Sequence, residues 1–129
     1  MTVLRNEASM IVRNGPLLGP VLTRVVGMLA ARAQCPIDRL DDALLVADTI
    51  AAHSPDHSGN GMVRVGLAAD AGAIEMTVGA LAPREGEALL KDADLPGVGN
   101  VLERVADSVE VRATADGGEE LYIRLGFGT

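Results

Sequence analysis

The sequence predicts an α/β protein, a two-layer α+β sandwich whose mixed or antiparallel sheet is covered by helices on one face. The predicted element order is β-α-α-β-β-α-β-β. Two segments with apolar residues at helical spacing follow a short opening strand. Two pairs of segments with alternating apolar and polar residues come later, and each pair is joined by a turn that contains glycine. Because each hairpin has one apolar face, helices must cover that side of the sheet.

The first half of the chain predicts one strand and two helices. Residues 9–13 are rich in β-formers, and Gly15-Pro16 ends this strand. A helix is expected over residues 17–33, with Pro20 in its first turn. A second helix follows Cys35-Pro36-Ile37 and ends near His53, and Asp38 is expected to be its N-cap. The expected buried faces of the two helices are Leu18, Val21, Leu22, Val25 and Leu29, and Leu40, Leu44, Ala47 and Ala51.

The second half predicts two hairpins with helical segments between them. A polar loop over residues 53–61 precedes the first hairpin, whose strands alternate around 63–67 and 74–78. A short helical segment is expected at 85–91. A further helix is expected from the spacing of its apolar residues, Val98, Val101, Leu102 and Val105. Strands at 109–113 and 121–127 close the chain, and no repeat or linker is visible, so a single domain over residues 1–129 is expected.

Composition limits the class of function. The net charge is −7, and no basic patch is present that would neutralise the phosphates of a nucleic acid. No segment approaches the ~18 uninterrupted apolar residues of a membrane span. The N-terminal residues do not resemble a signal peptide, and the single cysteine, Cys35, fits a reducing compartment. We therefore expect a cytoplasmic protein that binds neither nucleic acid nor membrane.

Two segments, residues 36–53 and residues 97–111, carry a resemblance to a known family. They resemble the histidine-kinase-type (GHKL) ATPase fold, in particular the compact anti-sigma-factor serine kinases of bacterial partner-switching systems. Residues 36–53 resemble the family's second helix, which normally carries a Glu and an Asn one turn apart. Residues 97–111 resemble its glycine box, which leads into a helix and a strand. The closing strand, residues 119–127, also fits. The resemblance implies an ATP and Mg²⁺ pocket, a sigma factor or an anti-sigma antagonist as partner, and a homodimer in many members.

The residues that the family uses for nucleotide chemistry are replaced at the matching positions. Thr49 stands where the family has its general base, and His53 stands where it has the Asn that helps to hold Mg²⁺. The family's Asp-x-Gly-x-Gly motif corresponds to Gly79, Leu81 and Pro83, so the carboxylate that contacts adenine is missing. A hydrogen bond to a charged group contributes roughly 1.5–3 kcal/mol, which corresponds to about tenfold or more in affinity.

The second glycine box is partly retained as Gly97 and Gly99. Glycines before a helix can present backbone N–H groups to a phosphate, but they also form ordinary turns. The resemblance therefore implies five candidate nucleotide-contacting residues and no catalytic one. These candidates are Thr49, His53, Gly79, Gly97 and Gly99.

Three functional hypotheses follow from this pattern. The first is a regulatory protein of the anti-sigma type with a degenerate nucleotide pocket, a pseudokinase without ordinary ATP turnover and with no cofactor expected. The second is an active ATP-dependent anti-sigma serine/threonine kinase with divergent motifs, which is suggested by Gly97 and Gly99. The third is a structural or dimerisation module, for which the likeness of fold is analogy alone.

Several other side chains have both a functional and an ordinary interpretation. His53, Asp56 and His57 could approach a metal ion, but their spacing is not a metal signature, and a solvated loop is the preferred interpretation. Asp48 could replace the missing base, and Arg84 could contact a phosphate, but both residue types are common on surfaces. Cys35 is expected to be a small apolar residue at a helix junction, and Asp107 a structural residue at a helix end, as in the related pattern.

Overall fold

The computed structural model describes residues 5–127. Its main sheet contains five strands in the order β1-β2-β3-β7-β6, and every neighbouring pair is antiparallel. Two further strands of two residues, β4 and β5, form a small ribbon. The strands are β1 (Asn6–Arg13), β2 (Met62–Ala69), β3 (Ala73–Leu81), β4 (Asp94–Leu95), β5 (Gly99–Asn100), β6 (Ser108–Ala113) and β7 (Glu119–Gly126).

The described residues also form four α-helices and one turn of 3₁₀-helix. The helices are α1 (Leu18–Arg32), α2 (Ile37–His53), α3 (Glu85–Asp92) and α4 (Val101–Val105), and the 3₁₀ turn is Ser54–His57. The two long helices pack against each other, and α3 and α4 pack near the β6-β7 end of the sheet. The predicted fold class, a two-layer sandwich with an antiparallel sheet, is confirmed. The element order follows the predicted β-α-α-β-β-α-β-β, except that a second helix and the β4-β5 ribbon are added between β3 and β6.

The hydrophobic core lies between the helices and one face of the sheet. Alternation along β2 puts Val63, Val65 and Leu67 on the buried face, and Arg64 and Gly66 on the other face. The same period applies to β3 and β7. The core-facing residues of these two strands are Ile74, Met76 and Val78, and Leu121, Ile123 and Leu125. No helix in the described part of the chain is long and apolar enough to cross a membrane.

The opposite face of the sheet is polar. Tyr122 donates its hydroxyl proton to Glu75 at 2.9 Å, and Arg5 donates to the same carboxylate at 3.2 Å. The guanidinium of Arg112 lies 3.7 Å from the centre of the Tyr122 ring. Burial opposes ionisation of Glu75, but the hydrogen bonds from Arg5 and Tyr122 outweigh it, so the pKa of Glu75 is lowered. A solvated face of this kind explains why the helices cover only one side.

Some predicted boundaries were wrong. Asp38 is not the N-cap of α2, because Pro36 occupies that position with an extended ψ of 150° and Asp38 lies in the first turn. Val98 does not belong to the last helix, which begins at Val101. It lies in the turn between β4 and β5, where its N–H donates to Leu95 O at 3.0 Å. The opening strand also begins earlier than predicted, at Asn6.

Candidate functional site

Two of the predicted nucleotide-contacting residues lie one turn apart on α2. The hydroxyl of Thr49 donates to the main-chain carbonyl of Leu45 at 2.8 Å, so its proton stays within the helix. His53 ends α2, and the 3₁₀ turn begins at the next residue. A side chain at position 49 and one at position 53 share a helix face, as the matching family positions require. Neither residue places a carboxylate on that face.

Gly79 lies near the end of β3, where the pairing with β7 shifts between Val78 and Leu81. A Cβ at position 79 would come within 3.6 Å of Glu120 Cβ, which is an ordinary contact. Gly79 lines a cavity of about 520 Å³ on the polar side of the sheet, together with Arg64 and Asp116 among others. Leu81 is buried, and Pro83 is exposed in the connection to α3. The structure therefore separates Gly79 from the α2 positions, which lie on the helical side.

Gly97 lies in the turn that joins β4 and β5, and Gly99 is the first residue of β5. Both adopt positive φ angles, +76° and +101°, which L side chains rarely adopt. Helix α4 has only five residues, and its N-terminus is already capped because Asn100 Oδ1 accepts from the N–H of Glu103 at 3.1 Å. The amide of Asn100 also donates to Leu90 O at 2.7 Å, which attaches this turn to α3.

A cluster that sequence patterns do not reveal lies between the 3₁₀ turn and α3. The Nδ1 atom of His57 is 2.6 Å from Glu85 Oε2, and its Nε2 atom is 2.6 Å from Asp92 Oδ2. The His57 side chain is only 11% exposed. Glu85 and Asp92 begin and end α3, so one imidazole contacts both ends of this helix. The two carboxylates are seven residues apart, so they share one face of α3. This spacing is the only feature of the cluster that the sequence could have indicated.

The electrostatics of the His57 cluster favour the imidazolium. Burial alone would lower the pKa of His57, but the hydrogen bonds to Asp92 and Glu85 outweigh it, so the pKa is raised. When the ring is protonated, both nitrogens donate, and each carboxylate accepts a charge-assisted hydrogen bond. Among residues 5–127, no three or more His, Cys, Asp or Glu side chains are arranged to hold a metal ion. Of the residues considered above for a metal site, His57 pairs with the carboxylates of α3, and Asp56 is exposed to solvent.

Arg39 connects α2 to the end of the sheet. Its guanidinium donates to Gly126 O at 2.9 Å, to Val105 O at 2.7 Å and to Asp107 Oδ1 at 3.0 Å. Asp107 also accepts from the N–H of Gly126 at 2.6 Å. The Arg39 side chain is 18% exposed, so these bonds are partly protected from water. The contacts of Asp107 are structural, as its position at a helix end suggested.

Large apolar side chains are exposed on the outer side of the two long helices. On α1 they are spaced by four and seven residues, which puts them on one helix face. Leu17, the residue before α1, and Val21 and Met28 within it are 68%, 36% and 63% exposed, and we refer to these three residues as the α1 strip. Val21 was expected on the buried face of α1, and this expectation was wrong. On α2, Ile37 and Leu45 are also exposed. Exposed apolar residues grouped on one helix face are typical of a surface that binds another protein.

Comparisons with known proteins establish the fold. No protein-family model matches the sequence, and a search of curated proteins gave no match. Among solved structures, the chain is similar to a chain in the crystal structure of the SiaB–SiaC complex from Pseudomonas aeruginosa, with a TM-score of 0.61 and 12% sequence identity. The similarity covers 97% of this chain and 91% of that chain. The fold expected from the resemblance is therefore shared, over nearly its whole length, with a chain from a complex of two proteins.

Proposed function

We propose that this protein is a regulator of the anti-sigma or partner-switching type, which binds a protein partner and does not turn over ATP in the ordinary way. The partner that we propose is a sigma factor or an anti-sigma antagonist. The observation that carries the proposal is the α1 strip, because three large apolar side chains face solvent on one side of a helix. The shared fold with a chain of the SiaB–SiaC complex supports it, since that chain assembles with a protein partner.

The residues at the nucleotide-contacting positions support the proposal that the protein does not turn over ATP in the ordinary way. Position 49 holds a threonine whose hydroxyl is bonded to its own helix, so it is a poor general base. The positions that match the adenine-binding motif hold Gly79, Leu81 and Pro83, and none of them has a carboxylate. Phosphoryl transfer relies on positioning of the phosphate and on electrostatic stabilisation by Mg²⁺, and both need side-chain groups such as carboxylates. We infer that the pocket is degenerate and that protein binding is the retained function.

A binding experiment with surface variants tests the partner surface. Candidate sigma factors and antagonists from the same organism are titrated against the wild-type protein, Met28→Glu and Leu17→Glu by isothermal calorimetry. Each new charge would have to be buried beside an apolar partner residue, so we expect a loss of affinity of about tenfold or more. Since both side chains are exposed, the free energy of unfolding should change by no more than about 0.5 kcal/mol.

A matched control uses an exposed apolar residue elsewhere. Val98 is 50% exposed in the β4-β5 turn, and Val98→Glu introduces the same charge away from the long helices. Partner affinity should be unchanged in this variant. If no sigma factor or antagonist binds the wild-type protein, or if Met28→Glu binds as well as the wild type, the proposed surface is wrong.

A further inference from the structure

A cavity of about 520 Å³ lies on the polar face of the main sheet, near the end of β3 that leads to α3. Its floor is formed by small residues of β2 and β3, namely Gly66, Gly79 and Ala80. Ser9 and Thr77 add hydroxyl groups to its wall. Ligand sites commonly have volumes of roughly 300–1,000 Å³, so this cavity has the size of a small-molecule site.

An irregularity of β3 shapes this cavity. The register between β3 and β7 shifts after Val78, so Gly79 and Ala80 together lie opposite Glu120. Two residues opposite one form a bulge, and bulges often lie beside functional sites because they redirect the side chains around them. A Cβ at position 79 would lie 3.6 Å from Glu120 Cβ, which is an ordinary contact, so packing alone does not require glycine here. Glycine at this position leaves room that a side chain would fill.

Two opposite charges stand on either side of Gly79. Arg64 pairs with Gly79 across β2 and β3, and Glu120 lies next to Gly79 on the β7 side. Strand alternation puts both side chains on the polar face, and the two strand spacings between them amount to roughly 9–10 Å. Arg112, which lies opposite Glu120 on β6, pairs with Glu110 at 3.1 Å. Between residues 5 and 127, no ion pair joins Arg64 or Glu120 to another side chain, so both charges can contact a ligand.

Asp116 supplies a third charge from the turn between β6 and β7. Its Oδ1 atom accepts hydrogen bonds from the hydroxyl of Thr114 and, at 3.2 Å, from the N–H of Gly118. These bonds lower the pKa of Asp116, so its carboxylate is charged and its second oxygen faces solvent. Glu119 also lines the cavity, but its carboxylate accepts from the N–H of Gly86 at 3.0 Å. The cavity therefore presents one guanidinium and two carboxylates to a ligand.

We propose that this cavity binds a basic α-amino acid, with the chemistry of lysine or arginine. The carboxylate of the ligand accepts hydrogen bonds from the guanidinium of Arg64, which can bind it through two nitrogens. The α-ammonium and the side-chain cation of the ligand donate to Glu120 and Asp116. A neutral amino acid would leave one of these carboxylates without a partner, and a diamine would bring a cation to Arg64. The arrangement of charges therefore selects a ligand with one negative and two positive groups.

Titrations followed by amide NMR spectra test the proposed ligand. L-lysine and L-arginine should cause saturable shifts at millimolar concentration, confined to the amides of residues 64–66, 77–80 and 114–120. L-leucine, L-glutamate and putrescine should cause no saturable shift, because each lacks one of the three charges or adds a repulsive one. If neither lysine nor arginine binds, if putrescine binds as well as they do, or if the shifts lie outside these residues, the proposal is wrong.

Charge-removing variants test the site itself. Arg64→Gln and Glu120→Gln should each weaken lysine binding about tenfold or more, because each removes a charge-assisted hydrogen bond. Arg13→Gln and Glu103→Gln are matched controls, since both replace exposed charges outside the cavity, and they should bind lysine like the wild type. Wild-type affinity in either cavity variant would overturn the proposal, and thermal unfolding checks that all four variants fold. The cavity does not involve the α1 strip, so its failure would leave the proposed partner binding untouched.

Discussion

The Nε2 atom of His57 lies 2.6 Å from Oδ2 of Asp92, although 35 residues separate them in the chain. The other ring nitrogen lies 2.6 Å from Glu85, so the imidazole joins the end of the 3₁₀ turn to both ends of α3. This cluster fixes α3 against the region where α2 ends. Its strength depends on the charge of one histidine, which makes the stability of this region dependent on pH.

Replacing His57 should destabilise the protein at low pH more than at high pH. The pKa of His57 is raised in the folded state, so its contribution is complete below the unfolded value of about 6.5 and is lost as pH rises through the folded value. Because both carboxylates are partly exposed, His57→Gln should lower the free energy of unfolding by about 1–2 kcal/mol near pH 6. Urea denaturation at several pH values measures this difference.

His53→Gln is the matched control, because it removes a histidine at the adjacent helix end and leaves the carboxylate cluster intact. Its effect should be smaller than that of His57→Gln near pH 6. A loss in His57→Gln that is equally large near pH 9 would show that packing, and not the charge of the ring, makes the contribution.

Arg39 is expected to be a main determinant of stability outside the apolar core. Arg39→Met keeps the apolar stem but removes the donors to the carbonyls of Gly126 and Val105 and to the carboxylates of Asp107 and Asp42. Asp107 keeps its bond from the N–H of Gly126, so the loss falls mainly on the two carbonyls. Because the carboxylate partners are 39% and 49% exposed, we expect a loss of about 1–3 kcal/mol. Arg39→Lys should recover only a small part of it, because an ammonium group cannot form the same set of planar hydrogen bonds. The denaturation midpoint with an unchanged m-value measures the effect, and a midpoint equal to that of the wild type would contradict it.

Two glycine-to-alanine substitutions should have opposite effects. Gly27 lies inside α1, and a Cβ there meets no heavy atom within 4 Å, so Gly27→Ala should stabilise the protein by about 0.5–1 kcal/mol. Gly86 is buried in α3, and a Cβ there would lie 2.6 Å from Val111 Cγ1 and 2.9 Å from Glu119 Oε1. Gly86→Ala should therefore destabilise the protein by about 1–3 kcal/mol. Thermal unfolding of both variants tests the packing of α3 on β6, and equal shifts would contradict it.

The sheet and the long helices were predictable because their signals are periodic and local. Val63, Val65 and Leu67 alternate with polar or small residues, and this pattern needs no knowledge of the rest of the chain. The same rule misplaced Val98, whose spacing from Val101 is helical. There the positive φ angles of Gly97 and Gly99 form a tight turn instead, since backbone conformation overrides apolar spacing at such positions.

The side-chain clusters could not be predicted in the same way. Arg39 and Asp107 are 68 residues apart, and His57 and Glu85 are 28 residues apart. Neither pair follows from a helical or strand period, because only the folded chain brings them together. The five candidate nucleotide-contacting residues came from the family resemblance alone. The structure places Thr49 and His53 on one helix, while Gly97 and Gly99 lie in the β4-β5 ribbon, which is attached to α3.

A thermal-shift titration with Mg-ATP and Mg-ADP measures whether the protein still binds nucleotide. A ligand at about 100 times its dissociation constant adds about 2.7 kcal/mol of stability, which is a rise of several degrees in Tm for a chain of this size. We expect no shift at millimolar nucleotide, because the positions for the base, the metal ligand and the adenine contact hold Thr49, His53 and Gly79. A saturable rise in Tm that requires Mg²⁺ would contradict this expectation and would favour an active kinase.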